Sequence, residues 1–364
     1  MLALKRYENP LLTAVSVFES WARSEPKYLY SAWRVFAGYV TAKYVEQGSV
    51  RNYVERAEKG AGSIVGKLVA DRTPSDDLVE AGTLVYFVLA SEGVERRYGV
   101  GEALRKAFTA CIEDIVNVDP MRSPALSRCL GLSYVLQPID PSVETLGESC
   151  LSGSAEGLAD FCTYAFFAKT LSALLRGDKS VAESVEKWVA RSTKTGYMPV
   201  HLLALNMISY GLASVIVCEG KKSLATKMKL FDKLNKRLLK ELNPHTIRRF
   251  NKHVWVILRL AIVANKLRRV EYVPEGYIVL PKVTLTEVLR MLKKFKRAAY
   301  IKDLVIGLFI AILSAASPFI GISQHLLALV GLFVGILLAS YRFVLKLLHI
   351  NVEYLINELE KIHR

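Results

Sequence analysis

The sequence contains few of the residues and motifs that mark common enzymes. Three of its 364 residues are glutamines, beside 83 charged residues, a composition typical of thermophile proteins. It has no His-Glu-x-x-His, Gly-x-Ser-x-Gly or EF-hand pattern, which excludes the zinc proteases, serine hydrolases and calcium sensors that carry those motifs. Strand patterns are also nearly absent, which favours a helical fold. We expect a non-enzymatic protein with no cofactor and no metal.

The spacing of the five cysteines argues against a metal site. No two lie within four residues of each other, and none has a histidine at a ligand spacing, whereas zinc sites need such pairs. In a cytoplasmic chain we expect buried thiols. Intracellular disulfides do form in hyperthermophiles, so a Cys150 to Cys162 disulfide is the alternative. The cysteines are Cys111, Cys129, Cys150, Cys162 and Cys218.

Two glycine-containing segments match nucleotide-binding loops only in part. In residues 59–68, Ala61 stands where a phosphate loop has its first glycine, and Leu68 stands where it has a magnesium-binding hydroxyl. Residues 99–104 lack the third glycine of a dinucleotide site. No strand pattern precedes either segment. We predict a helix over 59–68 and a helix start near Gly99.

Apolar residues recur every three or four positions through most of residues 1–280, which predicts helices. Prolines and glycines fall where these helices should end. We expect an all-α fold, either a multi-helix bundle or an irregular α-solenoid without a regular repeat. A small β-hairpin is predicted at 270–281. The predicted helices cover residues 15–22, 28–45, 54–69, 78–94, 104–116, 158–175, 181–189, 224–242 and 246–267.

A segment of 38 residues without charge begins after Asp303 and ends before Arg342. It is too long for one membrane span and fits two of about 20 residues each. We predict a C-terminal transmembrane helical hairpin, at about 304–322 and 325–341, with a turn at Pro318 and Gly321. Lys and Arg flank both ends of the hairpin but not its turn. Both termini are therefore expected in the cytoplasm, with the protein in the cell membrane as a two-span chain.

A second uncharged stretch covers residues 195–218. Its length alone would permit a membrane span. Pro199 and Asn206 interrupt it, which favours a fully buried core helix. His201, on the same helix, is expected to be a core residue rather than a ligand. The sequence leaves both alternatives for this stretch open.

Heptad patterns flank the predicted hairpin on both sides. The two helices would pair as an antiparallel stalk or pack separately on the N-terminal domain; oligomerisation through the C-terminal helix is a third arrangement. Acidic residues in the last helix and basic residues in the first favour their pairing. The helix-pairing seam consists of Leu285, Val288, Leu292, Phe295, Leu345, Leu348, Val352, Leu355, Leu359 and Ile362.

The positive charge of the chain is concentrated in residues 221–300. This block has 21 Lys and Arg against 5 Asp and Glu, whereas residues 1–220 have 23 against 25. Beside a membrane hairpin it is expected to face anionic lipid. An acidic protein partner ranks second and nucleic acid third, because no nucleic-acid motif accompanies the charge. The residues predicted to bind this surface are Lys221, Lys222, Lys229, Lys233, Lys236, Arg237, Lys240, Arg248, Arg249, Lys293, Lys294, Lys296 and Arg297. Lys227 is expected on the same basic helix as the first seven of them.

Residues 289–322 form a basic helix that leads into an apolar hairpin. This arrangement resembles the F-type inner-membrane assembly platforms of type II secretion and archaeal type IV pilus machines. The likeness covers under a tenth of the chain. It implies a membrane platform whose basic region contacts nucleic acid or a motor ATPase. The chain has one hairpin and no duplicated module, which departs from that family, so no functional residue is carried across.

We therefore expect a membrane-anchored helical scaffold on the cytoplasmic face, with its basic region against anionic lipid or an acidic partner. The alternative is a platform component of a secretion, type IV pilus or DNA-handling machine. The expected regions are a helical cytoplasmic domain (1–220), a basic juxtamembrane region (221–300), the transmembrane hairpin (301–341) and a C-terminal amphipathic helix (342–364).

Overall fold

The computed structural model describes residues 12, 15, 18–19, 22–24, 26–71, 74–117, 124–152, 157–194, 198–217, 221–242, 250–267, 290 and 293. Those between 15 and 267 belong to one compact unit. They are helical, and apart from a single bridge between Arg23 and Asn251 these described residues form no β-structure. The expected all-α fold is confirmed for this part of the chain.

Eleven α-helices account for most of the described residues. A π-helical turn, Ala42–Glu46, continues the first helix, and 3₁₀ turns lie at Glu95–Arg97, Ser133–Val135 and Ala264–Lys266. The α-helices are α1 (Lys27–Thr41), α2 (Arg51–Ala70), α3 (Asp76–Ala90), α4 (Val100–Asn117), α5 (Pro124–Leu132), α6 (Pro141–Ser152), α7 (Ala159–Arg176), α8 (Val181–Ser192), α9 (Val200–Ile216), α10 (Lys221–Glu241) and α11 (Lys252–Val263).

Proline and glycine set several of the helix ends, as the sequence predicts. Pro26 and Pro199 directly precede α1 and α9. Gly177 ends α7 at a φ of 70°, and Gly99 precedes α4 at a φ of 64°. Only glycine adopts this left-handed conformation without a steric cost. Residues 59–68 lie inside α2, so both helix predictions at the glycine-containing segments are confirmed.

The sequence analysis did not predict helices α5 and α6. Helix α5 has 9 residues, fewer than a window of 11 to 18 residues needs for a clear apolar period. Helix α6 has 12 residues, as α8 does, but its buried positions are Val143, Gly147 and Cys150, which give a weak apolar period. Both also begin with a proline, which we interpreted as a helix end at Pro141. Proline fits the first helical position, because its missing N–H would have no partner there.

Helices α3, α7 and α9 form the interior of the bundle. Helix α3 packs against α1, α2, α4 and α5, and α7 packs against α5, α8 and α9. Helix α11 contacts both α1 and α9, which closes the bundle. At the centre, an aromatic cluster has ring centroids 5.6 to 5.9 Å apart; its members are Trp33, Phe36, Phe87 and Phe167.

Helix α9 is enclosed on almost every side. Of its 17 residues 15 are buried, against α7, α8, α10 and α11. Asn206, a polar residue in this core, accepts a hydrogen bond from Trp188 Nε1 at 2.9 Å. The described part of the 195–218 stretch is thus a buried core helix, as its polar residues indicate. Among the helices that the structure describes, none has both the length and the apolarity of a membrane span.

Two close helix contacts depend on glycine. A Cβ on Gly131 of α5 would lie 2.7 Å from Phe161 O and 2.9 Å from Ala165 N, both backbone atoms of α7. A Cβ on Gly211 of α9 would likewise lie under 3 Å from the carbonyl oxygen of Ala264. Because backbone atoms cannot rotate away as side chains do, no larger residue fits at these positions without moving a helix.

Several sequence predictions lie outside the described residues. These are the transmembrane hairpin, the two heptad helices beside it and the β-hairpin at 270–281. They stay predictions.

Candidate functional site

Four lysines form one exposed side of α10. Lys229, Lys233, Lys236 and Lys240 follow each other at spacings of four, three and four residues, and all are exposed. This spacing places them on one side of an α-helix, over about 16 Å of its axis at 1.5 Å per residue. We call this surface the lysine face. It contains four of the residues predicted to bind an anionic surface.

The opposite side of α10 is fixed in the bundle. The ring of Phe231 lies 5.4 Å from that of Tyr210 in α9. Arg237 is half-buried and donates a hydrogen bond to the carbonyl oxygen of Ser192, at the end of α8. The core, rather than a loop, therefore positions the lysine face. The buried apolar residues of this side are Leu230, Phe231, Leu234 and Leu238.

Lys227 lies on α10, as expected, but its side chain points into the interior. It is 2 % exposed, and its ammonium group contacts Ser214 Oγ and donates to the carbonyl oxygen of Leu267 at 3.1 Å. Lys227 and Lys229 are two residues apart, so they point to opposite sides of the helix at about 100° per residue. The sequence analysis placed Lys227 on this helix without predicting the direction of its side chain.

The structure describes only some of the other residues that were predicted to bind or to form the seam. Lys221 and Lys222 lie in the first turn of α10, and Lys293 is exposed. Arg248, Arg249, Lys294, Lys296 and Arg297 lie outside the described residues, as do the ten seam residues: Leu285, Val288, Leu292, Phe295, Leu345, Leu348, Val352, Leu355, Leu359 and Ile362.

A second polar cluster is buried between α1, α3, α5 and α7. Glu80 is fully buried, and its two carboxylate oxygens accept hydrogen bonds from Trp33 Nε1 and from Arg128, each at 2.7 Å. The hydroxyl of Tyr164 lies 3.4 Å from the oxygen that Arg128 contacts. A buried carboxylate is stable only when donors replace its water. We call these four residues the Glu80 network.

Arg128 connects the Glu80 network to the surface. It donates to Asp76 at 3.0 Å and to Asp77 at 3.3 Å, in the first turn of α3. Acidic residues are favourable there because the N-terminus of a helix carries partial positive charge. The charge of the same guanidinium acts to lower the pKa of Asp160 in α7, although burial raises it. One arginine thus compensates several carboxylates from two helices.

The protonation of the Glu80 network follows from its contacts. Burial acts to raise the pKa of Glu80, but the charges of Arg128 and His253 and the hydrogen bonds from Arg128 and Trp33 outweigh it, so the pKa lies below its usual value. Burial raises the pKa of Tyr164, and the charge of Glu80 adds to this. At neutral pH the network therefore holds an ionised carboxylate beside a neutral phenol.

His201, at the start of α9, lies near this network. Burial lowers its pKa to about 4; Arg128 and His253 act in the same direction, and Glu80 acts in the opposite one. The imidazole is therefore neutral at physiological pH. By accessible surface His201 is half-buried, at the edge of the core.

A third cluster lies where α1 continues into the π-helical turn. Lys43 Nζ lies 2.9 Å from Glu92 and 2.7 Å from Tyr39 Oη, and the Tyr39 hydroxyl donates to Glu92 at 2.6 Å. Burial and the neighbouring Glu92 raise the pKa of Tyr39. Burial also raises the pKa of Tyr44 to about 12, with Glu92 as the second cause. These contacts join the end of α1 to the end of α3.

Four of the five cysteines form two disulfides. Cys111–Cys129 joins α4 to α5, and Cys150–Cys162 joins α6 to α7; all four residues are buried. The expectation of buried thiols is wrong for these four, and the alternative, a disulfide between Cys150 and Cys162, is confirmed. Sequence alone does not select the pairing, because four cysteines allow three connectivities. Cys218 lies outside the described residues.

The sequence analysis placed the four lysines of the lysine face on one helix, together with Arg237 of its other side, but missed the Glu80 network. Glu80 interrupts an otherwise apolar run in α3, and a lone acid in such a run is a signal of a buried ion pair. Its partner Arg128 lies 48 residues away. Only the packing of α5 on α3 brings the two together.

Within the described residues, no group of three or more His, Cys, Asp or Glu side chains could hold a metal ion. The chain matches no protein-family model, no curated protein and no solved structure.

Proposed function

We propose that this protein is a membrane-anchored helical scaffold on the cytoplasmic face, whose lysine face binds anionic lipid or an acidic partner. The lysine face carries the proposal. Four ammonium groups point away from a helix whose other side is buried in the core. At about 1 kcal/mol for each lysine at an anionic surface, they would contribute about 4 kcal/mol to binding.

The membrane anchor in this proposal is the segment 304–341, which has no charged residue. Its length suits two spans, and basic residues before and after it favour cytoplasmic ends. A chain held by such an anchor needs only moderate affinity to lay a basic surface on the bilayer, because the anchor keeps the local concentration of lipid high.

The compact unit has features that suit a scaffold. The Glu80 network joins four helices, and two disulfides tie α4 to α5 and α6 to α7. Disulfides in a cytoplasmic protein agree with a hyperthermophile source, as does the low glutamine content. These features support a rigid body that presents the lysine face in a fixed orientation.

The test is a lysine-acetylation footprint of the full chain in lipid nanodiscs. We expect Lys229, Lys233, Lys236 and Lys240 to be protected in discs that contain phosphatidylserine but not in discs of phosphatidylcholine alone. Raising the salt concentration should remove the protection, because salt screens the attraction. Mass spectrometry gives the modified fraction of each lysine.

A variant with Lys229→Gln and Lys233→Gln should reduce the lipid-dependent protection of Lys236 and Lys240. The matched control changes two exposed lysines elsewhere, Lys59 and Lys179, to glutamine. Equal labelling of the lysine face in both kinds of disc would contradict lipid binding.

The alternative function is a platform component of a secretion, type IV pilus or DNA-handling machine, in which the same lysines contact nucleic acid or a motor ATPase. The footprint includes an arm with duplex DNA and phosphatidylcholine discs. Protection by DNA, with a steep dependence on salt, combined with no protection by phosphatidylserine, would favour the alternative.

A further inference from the structure

An open groove runs between the start of α6 and the C-terminal half of α7. It has two compartments, which share Gln137, Ile139 and Glu144 as lining residues. The compartment along α6 has a volume of about 440 Å³, and the one between α7 and the start of α8 has about 190 Å³. The larger volume is typical of small-ligand pockets. The groove contains no residue of the lysine face or of the Glu80 network.

The compartment along α6 is acidic. Among its described lining residues, Glu144 and Glu148 carry the only charges, and they lie one turn apart on the same helix. Both carboxylates act on Tyr134, whose pKa is raised first by burial and then by these two charges. Two adjacent carboxylates at an open surface favour a ligand with an ammonium group.

The compartment beside α7 is basic on its α7 wall. Lys169 and Arg176 lie two turns apart, with the Lys169 ammonium 4.3 Å above the centre of the Tyr134 ring and 3.6 Å from Glu144. Asp178 also lines this compartment. Its carboxylate already accepts hydrogen bonds from the amide and the hydroxyl of Ser180, at 2.9 and 2.8 Å.

Ser172 indicates what this basic compartment binds. It is 6 % exposed and lines the compartment, and its hydroxyl has no hydrogen-bond partner among the described residues. Val181 begins α8 at the same wall, where Asp178 and the carbonyl oxygen of Lys179 already accept hydrogen bonds from the amides of Ser180 and Ala182. A carboxylate in this compartment would accept from Ser172 and from Arg176.

We propose that the groove binds a short peptide with a free ammonium and a free carboxylate group. Glu144 and Glu148 bind the ammonium, and Arg176 and Ser172 bind the carboxylate. The two signs of charge lie on different walls, so a simple cation or a simple anion meets one repulsive wall. A zwitterionic peptide complements both walls, and its middle lies along Ile139.

The test is calorimetric titration of the full chain in a neutral detergent with three peptides: trialanine, N-acetyl-trialanine and trialanine amide. Trialanine should bind, and each blocked peptide should bind at least about tenfold more weakly, because one charge-assisted set of hydrogen bonds is lost. Equal affinity for the three peptides, or no binding of trialanine at millimolar concentration, would overturn the inference.

Two variants assign the ends of the peptide. Ser172→Ala should weaken trialanine several-fold and weaken the amide less, because the neutral carbonyl oxygen of the amide accepts a weaker hydrogen bond than a carboxylate does. Glu148→Gln should weaken trialanine and leave the acetylated peptide unchanged. The matched controls, Ser149→Ala and Glu186→Gln, change residues that do not line the groove and should not alter any affinity. A loss that is equal for blocked and free peptides would overturn the assignment.

Discussion

Individual residues of the core carry charge because specific partners neutralise it. Glu80 has an indole donor on one oxygen and a guanidinium donor on the other, and Arg128 reaches two further carboxylates near the surface. Removing one member leaves its partners desolvated and without compensation, which costs more than the pair contributes.

We predict that Glu80→Gln lowers the free energy of unfolding at pH 7 by about 3 kcal/mol, the low end for breaking a buried ion pair, because Arg128 keeps Asp76 and Asp77. Guanidinium denaturation of the full chain in detergent, followed by tryptophan fluorescence, measures the change. The control Glu186→Gln, at an exposed position, should differ from the parent by less than about 0.5 kcal/mol. An unchanged midpoint for Glu80→Gln would show that the pair does not stabilise the fold.

The stability should also depend on pH through the same carboxylate. The pKa of Glu80 in the fold lies below its ordinary value of 4.5. The stabilisation is therefore complete above about pH 4.5 and is lost as the pH falls through the lowered pKa. The Glu80→Gln variant should lack this part of the acid transition.

His201 gives a separate prediction in a higher pH range. Its pKa is about 4 in the fold and 6.5 without the fold. Between these values the unfolded chain binds the extra proton, so stability falls as the pH falls from 6.5 to 4, by at most about 3 kcal/mol. We expect the unfolding midpoint of His201→Gln to change less with pH in this window than that of the parent protein. His363→Gln serves as the control, and an identical slope in the parent and in His201→Gln would contradict the assignment.

At the scale of elements, the contact between α5 and α7 is set by Gly131. A methyl group there would meet backbone atoms of α7 at under 3 Å. We predict that Gly131→Ala lowers the unfolding free energy by about 2 kcal/mol, as overpacking in a core does. Thermal denaturation monitored by circular dichroism measures this.

Gly60→Ala makes the same chemical change in α2, where no atom lies within 4 Å of the added methyl. It should raise the stability by about 0.5 to 1 kcal/mol, because alanine favours a helix interior over glycine. Opposite signs for the two substitutions would support the close contact, whereas two stabilising substitutions would contradict it.

At the scale of the whole molecule, two disulfides restrict the unfolded chain. They close loops with sequence separations of 18 and 12 residues. We predict that replacing either pair by alanine lowers the unfolding free energy by about 3 kcal/mol. Cys218→Ser, which leaves both pairs in place, should have a small effect. A melting temperature that dithiothreitol does not change would show that the disulfides do not stabilise the protein.

The sequence predicted those helices whose own residues show a clear apolar pattern. The long apolar run of α9 and the regular period of α10 are visible over more than four turns, so both helices were found. Helix α5 is too short for that signal, and the buried side of α6 contains Gly147 and Cys150, so its apolar period is weak. The sequence shows that the side chains of Lys227 and Lys229 point to opposite sides of α10. Which of the two is buried becomes clear only once the buried side of the helix is known.

The remaining features depend on contacts between distant segments. The partners of Glu80 lie on α1 and α5, and no local pattern in the sequence specifies them. The disulfide pairing and the groove between α6 and α7 likewise arise only when helices are packed. The basic helix that carries the lysine face could be predicted because its charge and its period belong to a single segment.

The two disulfides also keep the chain in one piece after certain protease cuts. A protease cut between Cys111 and Cys129, or between Cys150 and Cys162, opens a loop without releasing a fragment. Such a nicked chain migrates on a denaturing gel as one band near 40.6 kDa until a thiol splits it into two. A cut between the loops yields two bands without a reductant, so a pair of gels locates a cleavage site before any sequencing.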